Sequence, residues 1–401
     1  MKVLMVAPTC HPQEVGEAWV GYQWARRLSE RHDLTLLTYR KRDWLPLAPK
    51  LPRAKVVEWV EPAGFGRFER LNSLLKPGYL AFHRRCRSWL EGANLAAYDV
   101  GFQPVPVGMR FPSPLSGSPL PFVFGPVGGG LPDPPGFAAE DTAPLYVRLR
   151  SIDAWRLRHD PVLRRTYTQA ACVLGISEYV RERLKGVPVQ RFEIMSETAI
   201  ESVPEPVDRS QRDGLPLRLL FVGRVIRTKG VRDAIRAVAH LTDVSLVFDV
   251  VGDGFDLERC ADLVRDLGQH DRVVLHGRLP REEIDAFYRA ADIFLFPSYR
   301  EPGGNVPYEA MGFGLPVVTS DRGGPASAVT DSCGITVTPE SPEQYPIALA
   351  AAVRRLVDDP ALRARLSLGA RARVQASGTW DARVAAMEEL FHDIARQGGA
   401  S

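Results

Sequence analysis

Two glutamates eight residues apart flank a glycine-rich loop in the second half of the chain. The segment reads Glu301-Pro-Gly-Gly-Asn-Val-Pro-Tyr-Glu309; it follows a short apolar run and leads into an amphipathic one. Carboxylates accept hydrogen bonds from vicinal hydroxyls, as they do for ribose in dinucleotide sites. Gly303 and Gly304 let backbone N–H groups approach a ligand closely, and a helix N-terminus favours an anion. The pattern predicts a site for a hydroxyl-rich anion, whereas the plainer interpretation is a solvated loop with capping glutamates.

Two cations follow an earlier apolar run, in Leu220-Phe-Val-Gly-Arg224-Val-Ile-Arg-Thr-Lys229-Gly230. At the turn between a strand and a helix they suit a diphosphate, because Arg binds as a planar fork and Lys as a point charge. In a transfer reaction they would stabilise the charge that develops on a departing phosphate. Ordinary surface salt bridging is the alternative. Arg227, between them, has nothing in the sequence to direct it inward and is expected to be solvated.

Short apolar runs that alternate with amphipathic stretches predict the elements that position these residues. Such alternation is typical of a parallel sheet covered on both faces. The strands predicted in the first half are 2–7, 34–38, 54–60, 99–102, 122–127 and 172–176, with helices over 20–30 and 79–91. A polar, proline-rich linker over 201–216 follows.

A second series of the same kind begins directly after this linker. The predicted strands are 218–223, 245–251, 272–276, 292–297, 316–320 and 334–337. The predicted helices are 232–240, 257–267, 282–290, 307–312, 345–358, 361–375 and 380–397. Two doubly wound units in tandem would bind a ligand at the carboxyl ends of their strands.

Composition excludes several classes of protein. The chain has 401 residues, of which 45% are hydrophobic and 25% charged, with a net charge of +3, so a disordered chain or a general nucleic-acid binder is disfavoured. Five scattered cysteines form no disulfide framework and are expected to be free and buried. Met1–Ala7 is too short for a signal sequence, and no apolar run reaches about 18 residues, the length that a membrane span needs. A cytoplasmic protein is expected.

Taken together, the ordered motifs resemble the EX7E, GT4-type retaining glycosyltransferases, and this resemblance implies the α/β GT-B fold. In that fold two Rossmann-like, doubly wound domains face each other across a cleft. The resemblance covers most of the chain and is strongest in the second half. It rests on the segments 222–230, 251–254, 274–277, 288–298 and 301–319, and on 15–24, 125–130 and 160–166 in the first half. The implied domains are 1–205 for the acceptor, 206–380 for the nucleotide-sugar donor, and a C-terminal helix, 381–401, that crosses back to the first domain.

The resemblance also implies residue roles. Arg224 and Lys229 would hold the donor diphosphate, Glu309 the ribose hydroxyls, and Glu301 the transferred sugar at the reacting centre, so Glu301, Arg224 and Lys229 are the predicted catalytic residues. Further donor contacts are predicted at Gly16, Gly277, Arg278, Leu279, Gly303, Gly304, Asn305 and Val306. Acceptor contacts are predicted at His11, Glu17, Gly128 and Gly129, although a solvated loop is the plainer interpretation of His11 and Glu17.

The chain departs from this family chiefly at one place, and a lesser departure is Gly303, where relatives often carry Phe. Many relatives carry a His after the strand that corresponds to 122–124, where this chain has Gly125-Pro-Val-Gly-Gly-Gly130. Either backbone N–H groups make the sugar contact there, or the contact is lost. Since no two aspartates stand two apart, the sequence has no D-x-D metal motif, and neither a metal nor another cofactor is expected. The leaving phosphate would take the acceptor proton, so that no dedicated base is required.

The acceptor is less constrained than the donor. Segment 67–87 is basic and amphipathic, which is compatible with a solvated face, with peripheral contact to an anionic membrane, or with an anionic acceptor. The sequence predicts transfer of a sugar from a nucleoside diphosphate to a small polar or glycan acceptor. Its bias of 44 Arg to 7 Lys fits a GC-rich genome and a role in bacterial natural-product synthesis. A membrane-associated transferase with a lipid-linked or polysaccharide acceptor, a non-catalytic nucleotide-sugar-binding protein, and a homodimer are left open.

Overall fold

A computed structural model describes residues 1–62, 77–138, 140, 151–209 and 214–398. Within it the chain forms two compact units. Unit 1 comprises Met1–Gly129, Leu145–Glu197 and Arg383–Ser401, and unit 2 comprises Gly130–Pro144 and Thr198–Ala382. The sequence predicted boundaries at 205/206 and 380/381, whereas the units change at 197/198 and 382/383. Residues 130–138 and 140 also belong to unit 2, which the linear division did not anticipate.

Unit 1 is built on a seven-stranded sheet whose neighbouring strands are all parallel. Its strands are Lys2–Thr9 (β1), Asp33–Arg40 (β2), Ala54–Val60 (β3), Val100–Gln103 (β4), Phe122–Val127 (β5), Cys172–Gly175 (β6) and Phe192–Ile194 (β7). Their order is β3-β2-β1-β4-β5-β6-β7, so the strand order reverses beside β1. Ligands of doubly wound folds bind at such a switch point.

Helices cover this sheet: Glu17–Arg31 (α1), Pro77–Gly92 (α2), Ser151–His159 (α3), Pro161–Gln169 (α4) and Tyr179–Arg183 (α5). The start of α4 shows how the sequence sets a boundary. The Asp160 carboxylate accepts hydrogen bonds from the backbone N–H groups of Val162 and Leu163, at 3.0 and 3.2 Å, and Pro161 occupies the first helical position. An acidic N-cap followed by proline is a strong helix start, because proline lacks only an N–H that would have no helical partner.

Unit 2 contains a second parallel sheet, with the order β10-β9-β8-β11-β12-β13. Its strands are Leu217–Val222 (β8), Leu246–Val251 (β9), Val273–Gly277 (β10), Ile293–Phe296 (β11), Val317–Ser320 (β12) and Gly334–Val337 (β13). Its helices are Val231–Ala239 (α6), Leu257–Asp266 (α7), Arg281–Ala290 (α8), Val306–Gly312 (α9), Gly323–Ala328 (α10), Gln344–Asp358 (α11) and Pro360–Ser377 (α12). Here the strand order reverses between β8 and β11, the strands that precede the two sequence motifs.

The apolar runs of the sequence become the buried strands of both sheets. All four residues of β11 and all six of β5 are buried, as expected for strands covered on both faces. The five cysteines are free and buried, which confirms that prediction. Among the described residues, no helix combines the length and apolar content that crossing a bilayer requires.

The last helix, Trp380–Gly398 (α13), begins in unit 2 and continues from Arg383 onward in unit 1. Its buried side chains recur at helical spacing, at Val384, Met387, Leu390, Phe391 and Ile394. Within unit 1, Phe391 packs edge-to-face on Phe102, and Glu388 pairs with Arg31 at 2.8 Å. An apolar stripe of this period covers the core that it packs against.

The basic segment 67–87 falls partly outside the described residues, since 67–76 are not among them. In the part that lies in α2, the side chains of Tyr79 and Phe82 are buried in the core of unit 1. Arg87 donates to the carbonyl of Ser116 at 2.7 Å, and Leu80 is 60% exposed. Two of the apolar side chains that suggested a lipid-facing surface therefore stabilise the fold instead.

Candidate functional site

The two sequence motifs of unit 2 meet at the carboxyl ends of β8 and β11. Arg224 follows β8, and Arg227–Lys229 form a single 3₁₀ turn before α6. Gly230 joins this turn to α6 with a φ of 75°, where a Cβ would overlap the carbonyl oxygen of Pro297, so only glycine fits. Ser298 Oγ donates to the carbonyl of Thr228 at 3.1 Å, and Tyr299 N to the same oxygen at 3.2 Å. These bonds fasten the cationic turn to the segment that leads into Glu301.

Lys229 and Glu301 form a direct ion pair. Their side chains are 10% and 17% exposed, while Arg224 is exposed beside them. Burial, and to a lesser extent the Arg224 guanidinium, lower the pKa of Lys229. The Glu301 carboxylate opposes this shift, because an opposite charge in contact stabilises the ammonium. The structure thus places a cation and an acid, predicted for phosphate and sugar respectively, against each other.

The loop after Glu301 is held by the start of α10. The backbone N–H of Gly324 donates to the carbonyl of Glu301 at 2.9 Å. Four predicted contact residues follow in sequence: Gly303 is buried, and Gly304, Asn305 and Val306 are half-buried at the start of α9. They lie in the same loop as Glu301.

Glu309 lies one turn into α9, and its carboxylate has two partners. Arg281 Nη1 donates to Oε2 at 2.6 Å, and the hydroxyl of the buried Tyr288 lies 3.3 Å from the same oxygen. The sequence analysis missed both partners, which come from α8. Arg281 stands only three residues after Arg278, but nothing in the pattern indicates that its side chain reaches α9.

The segment predicted to border a nucleobase follows β10. Gly277 accepts a hydrogen bond from Gly252 N at 2.8 Å, Arg278 is exposed, and Leu279 packs against the unit 2 core. The preceding His276 lies 2.8 Å from Asp249, the buried carboxylate that also binds Arg218 at 2.7 Å. This hydrogen-bonded pair joins β9 to β10 directly beneath the predicted nucleobase segment.

Arg227 is buried, contrary to the expectation that it is solvated. Its guanidinium binds Asp233 through two nitrogens, at 2.5 and 3.2 Å, and also pairs with Glu140. It lies over the rings of Phe137 and Tyr299, 5.3 Å from each centroid. The prediction failed because it considered only the local sequence, whereas two carboxylates and two aromatic rings from elsewhere in the chain compensate the buried charge.

Unit 1 carries the other predicted contacts. Gly16 caps α1 with a φ of 67°, and the first residue of α1, Glu17, accepts a hydrogen bond from the backbone N–H of Val107 at 3.2 Å. The carbonyl of Val107 in turn accepts from Gly128 N at 2.7 Å. Gly129 N donates to the Tyr179 hydroxyl at 2.8 Å. The start of α1 and the glycine loop after β5 are therefore neighbours, whereas no sequence pattern indicated the contact with Tyr179.

His11 is buried rather than solvated. Its ring stacks on Trp44 with centroids 4.2 Å apart, and Nδ1 accepts from Gln13 N at 3.3 Å. Burial lowers the pKa of His11. Since β1 and β2 are adjacent, His11 and Trp44 lie at the carboxyl ends of neighbouring strands, where a doubly wound unit binds its ligands.

Comparison with known proteins finds a family match for the region that carries both motifs of unit 2. Residues 207–373 match the family described as glycosyl transferases group 1. The similarity to the group 1 glycosyltransferases lies in this segment, which makes up less than half of the chain. The match includes the Arg224–Lys229 turn and the Glu301–Glu309 loop, the two features that come together in unit 2.

Curated relatives match the chain over part of its length. The 2-deoxystreptamine glucosyltransferase of Streptomyces kanamyceticus is 36% identical over 225 residues, covering 53% of this chain and 55% of the relative. A D-inositol 3-phosphate glycosyltransferase of Acidothermus cellulolyticus is 31% identical over 249 residues, covering 58% and 53%. The chain thus spans about half the length of the curated relatives it matches.

Solved structures resemble the fold over nearly the whole chain. HepE of Anabaena, solved in complex with UDP, has a TM-score of 0.64 at 17% identity, with 98% of this chain and 100% of HepE covered. Sucrose-phosphate synthase of Thermosynechococcus elongatus has a TM-score of 0.63 at 20% identity, with both chains fully covered. At these identities the likeness concerns the fold alone, and it confirms the predicted α/β GT-B class.

Proposed function

We propose that this chain is a group 1 glycosyltransferase that transfers a sugar from a nucleoside diphosphate to a small polyhydroxylated acceptor, with retention of the anomeric configuration. The observation that carries the proposal is the ion pair between Lys229 and Glu301, with Arg224 beside it, at the strand ends of unit 2. Such a pair places a phosphate-binding cation next to an acid that can hold sugar hydroxyls. The acceptor class is supported by the two curated relatives, whose names specify an aminocyclitol and an inositol phosphate.

In the proposed reaction the bond between the anomeric carbon and the diphosphate oxygen breaks. A bond from the acceptor hydroxyl forms on the same face of the sugar, and the hydroxyl proton passes to the departing diphosphate. Lys229 and Arg224 stabilise the charge that develops on the leaving group, so we propose that no metal cofactor is required. Glu301 orients the sugar, and Glu309, held by Arg281 and Tyr288, accepts hydrogen bonds from ribose hydroxyls.

A binding panel tests the donor class. We expect one nucleotide among UDP, GDP, ADP, TDP and CDP, and its sugar-linked form, to raise the thermal midpoint. Ligand at about 100 times its dissociation constant adds about 2.7 kcal/mol to stability. Arg224→Ala should abolish this response, whereas Arg259→Ala, which removes an exposed cation on α7, should retain it. A wild-type chain that responds to none of these nucleotides would contradict the proposal.

Turnover separates a transferase from a non-catalytic binding protein. Incubation with the stabilising nucleotide sugar and a set of cyclitols and aminocyclitols is expected to yield a glycosylated product by mass spectrometry. Proton NMR of that product reports the anomeric configuration. Binding without transfer to any acceptor, and without slow hydrolysis of the donor, would favour the binding protein, while an inverted product would contradict retention.

Because Lys229 is buried, we expect the affinity for the nucleotide sugar to depend on pH when Glu301 is replaced. In Glu301→Gln the carboxylate no longer opposes burial and Arg224, so the pKa of free Lys229 is expected to lie lower than in the wild-type chain. A bound diphosphate favours the charged ammonium, and binding then takes up a proton at higher pH. We therefore expect the affinity of this variant for the nucleotide sugar to fall as the pH rises from about 7 to 9.

Isothermal titration calorimetry at several pH values measures this dependence. The nucleotide sugar is a suitable probe, because its phosphates are fully ionised throughout the range. The wild-type chain, in which Glu301 stabilises the ammonium, should show a flatter profile. The double variant Glu301→Gln, Lys229→Arg should lose the dependence, since arginine stays protonated. A profile in Glu301→Gln as flat as in this double variant would refute the assignment.

A further inference from the structure

One segment of unit 2 comes from the first half of the sequence. Residues 130–138 and Glu140, here called the bracing segment, group with unit 2, although β5 before them and α4 after them belong to unit 1. Pro135–Phe137 form a 3₁₀ turn within it. Three kinds of contact connect the bracing segment to the loops that carry Lys229 and Glu301.

The first contact is aromatic. The Phe137 side chain is fully buried in the unit 2 core, and its ring centroid lies 4.3 Å from that of Tyr299 and 6.1 Å from that of Tyr345. The neighbouring Gly136 runs against the backbone of Glu340 so closely that a Cβ would overlap the Glu340 carbonyl oxygen. Phe137 is thus a core residue of unit 2, although the chain before residue 130 and after residue 144 belongs to unit 1.

The second contact is electrostatic. Asp133 binds Nη1 of Arg300 through both carboxylate oxygens, at 2.7 and 2.9 Å, and Glu140 pairs with the buried Arg227. The side chains of Asp133 and Arg300 are only 21% and 24% exposed. Pairs that are largely withdrawn from water hold their geometry better than exposed ones, which contribute little.

The third contact involves the loop before α10. Arg322 Nη2 donates to the carbonyl of Pro132 at 2.6 Å. Two residues later, Gly324 N donates to the carbonyl of Glu301. The bracing segment therefore reaches the backbone of Glu301 from the α10 side as well as through Arg300.

All three contacts lead to the same ion pair. Arg227 shares its 3₁₀ turn with Lys229, while Tyr299 and Arg300 directly precede Glu301. We infer that Asp133, Phe137 and Glu140 are positioning residues of the donor site, which hold Lys229 and Glu301 in register for the diphosphate and the transferred sugar. This inference rests on the proposed function.

The nucleoside end of the site has other supports. Glu309 is held by Arg281 and Tyr288 of α8, and Gly277 is bound to Gly252 after β9. Displacement of the bracing segment should therefore weaken contacts to the diphosphate and sugar while sparing those to the base and ribose. A general loss of stability would instead weaken all ligands together. This difference makes a positioning role measurable.

The test compares ligands of increasing length. Asp133→Asn is the main variant, because Phe137→Ala would open a cavity in the core. Calorimetry should give a dissociation constant for the nucleotide sugar raised by about 10-fold or more, since small displacements of positioning groups are costly. The constant for the matching nucleoside monophosphate should stay within about twofold. Asp243→Asn, which breaks the exposed pair with Arg354 in the same unit, is the matched control and should change neither constant.

A double-mutant cycle identifies the contact responsible. Arg300→Gln should weaken nucleotide-sugar binding about as much as Asp133→Asn, and the double variant should be no worse than either single one, because all three lack the same pair. Phe137→Leu, which keeps an apolar side chain, should show the same selective loss in milder form. Equal losses for monophosphate and nucleotide sugar, additive effects in the cycle, or unchanged binding would overturn the inference. A wild-type chain that binds no nucleotide sugar would overturn the proposed function, and this inference with it.

Discussion

Replacement of Lys229 by alanine is expected to lower kcat by about 10²–10³-fold, the effect of removing one preorganised donor from a developing negative charge. The residue is placed for this role by the 3₁₀ turn between β8 and α6 and by its contact with Glu301. The loss should be larger than that from an exposed cation, because the Lys229 side chain is only 10% exposed and its charge is weakly screened. Initial rates at saturating nucleotide sugar and acceptor measure the effect.

Two further variants help to interpret the expected fall in kcat of Lys229→Ala. Lys229→Arg keeps the charge but not the shape, and we expect it to restore part of the rate. Arg259→Ala, an exposed cation on α7 in the same unit, should have wild-type kinetics. If Lys229→Ala raised KM and left kcat unchanged, Lys229 would contribute to ground-state binding and not to stabilisation of the leaving group. Wild-type values of both constants would reject any role at the site.

Replacement of Asp233 by alanine is expected to lower the free energy of unfolding of unit 2 by about 3–5 kcal/mol, the usual effect of leaving a buried charge without its partner. The Asp233 carboxylate is fully buried and binds Arg227 through two nitrogens. Removal of the carboxylate leaves the guanidinium with Glu140 as its remaining acid, itself 29% exposed. Urea denaturation, followed by hydrogen–deuterium exchange of unit 2 peptides, resolves this loss from the behaviour of unit 1.

The control is an ion pair at the surface, whereas the pair of Asp233 with Arg227 is buried. Asp243 pairs with Arg354 at the surface of unit 2, and Asp243→Ala should leave the denaturation profile nearly unchanged, because exposed pairs are screened by solvent. The double variant Asp233→Ala, Arg227→Met should recover much of the lost stability, since it removes the unpaired charge as well. A single variant as stable as the wild type would show that water reaches Arg227 in solution.

Most strands could be predicted because the residue types within each short stretch of sequence indicate a strand. The bounds 54–60, 122–127 and 334–337 agree with the structure to the residue. Each is a short stretch rich in β-branched or aromatic residues, and only 122–127 is buried on both faces. The edge strand β7 was missed. Phe192–Ile194 is only three residues long and none of its side chains is fully buried, so it has no periodicity to detect.

The local motifs of the candidate site could be predicted from the sequence, whereas the contacts between distant residues could not. The spacing of Glu301 and Glu309 indicated a ligand loop, but the ion pair with Lys229 joins residues more than seventy positions apart. Burial of Arg227 depends on Asp233, Glu140 and two aromatic rings, which no local pattern brings together. Phe137 stands among prolines, glycine and alanines, a composition that indicates a loop, and its burial in unit 2 is decided wholly by tertiary packing.

The insertion of Phe137 into unit 2 limits how the gene can be recombined. A donor-binding module cut at residue 198 would lack the bracing segment, and Tyr299 and Tyr345 would lose the ring beside them, a loss of the order of 3–5 kcal/mol for a buried aromatic. In a chimera joined at the proline-rich linker, Phe137 and Asp133 would instead pack against a unit 2 of different sequence. The coding sequence of unit 2 is therefore split between two distant stretches. A successful exchange must move both stretches together.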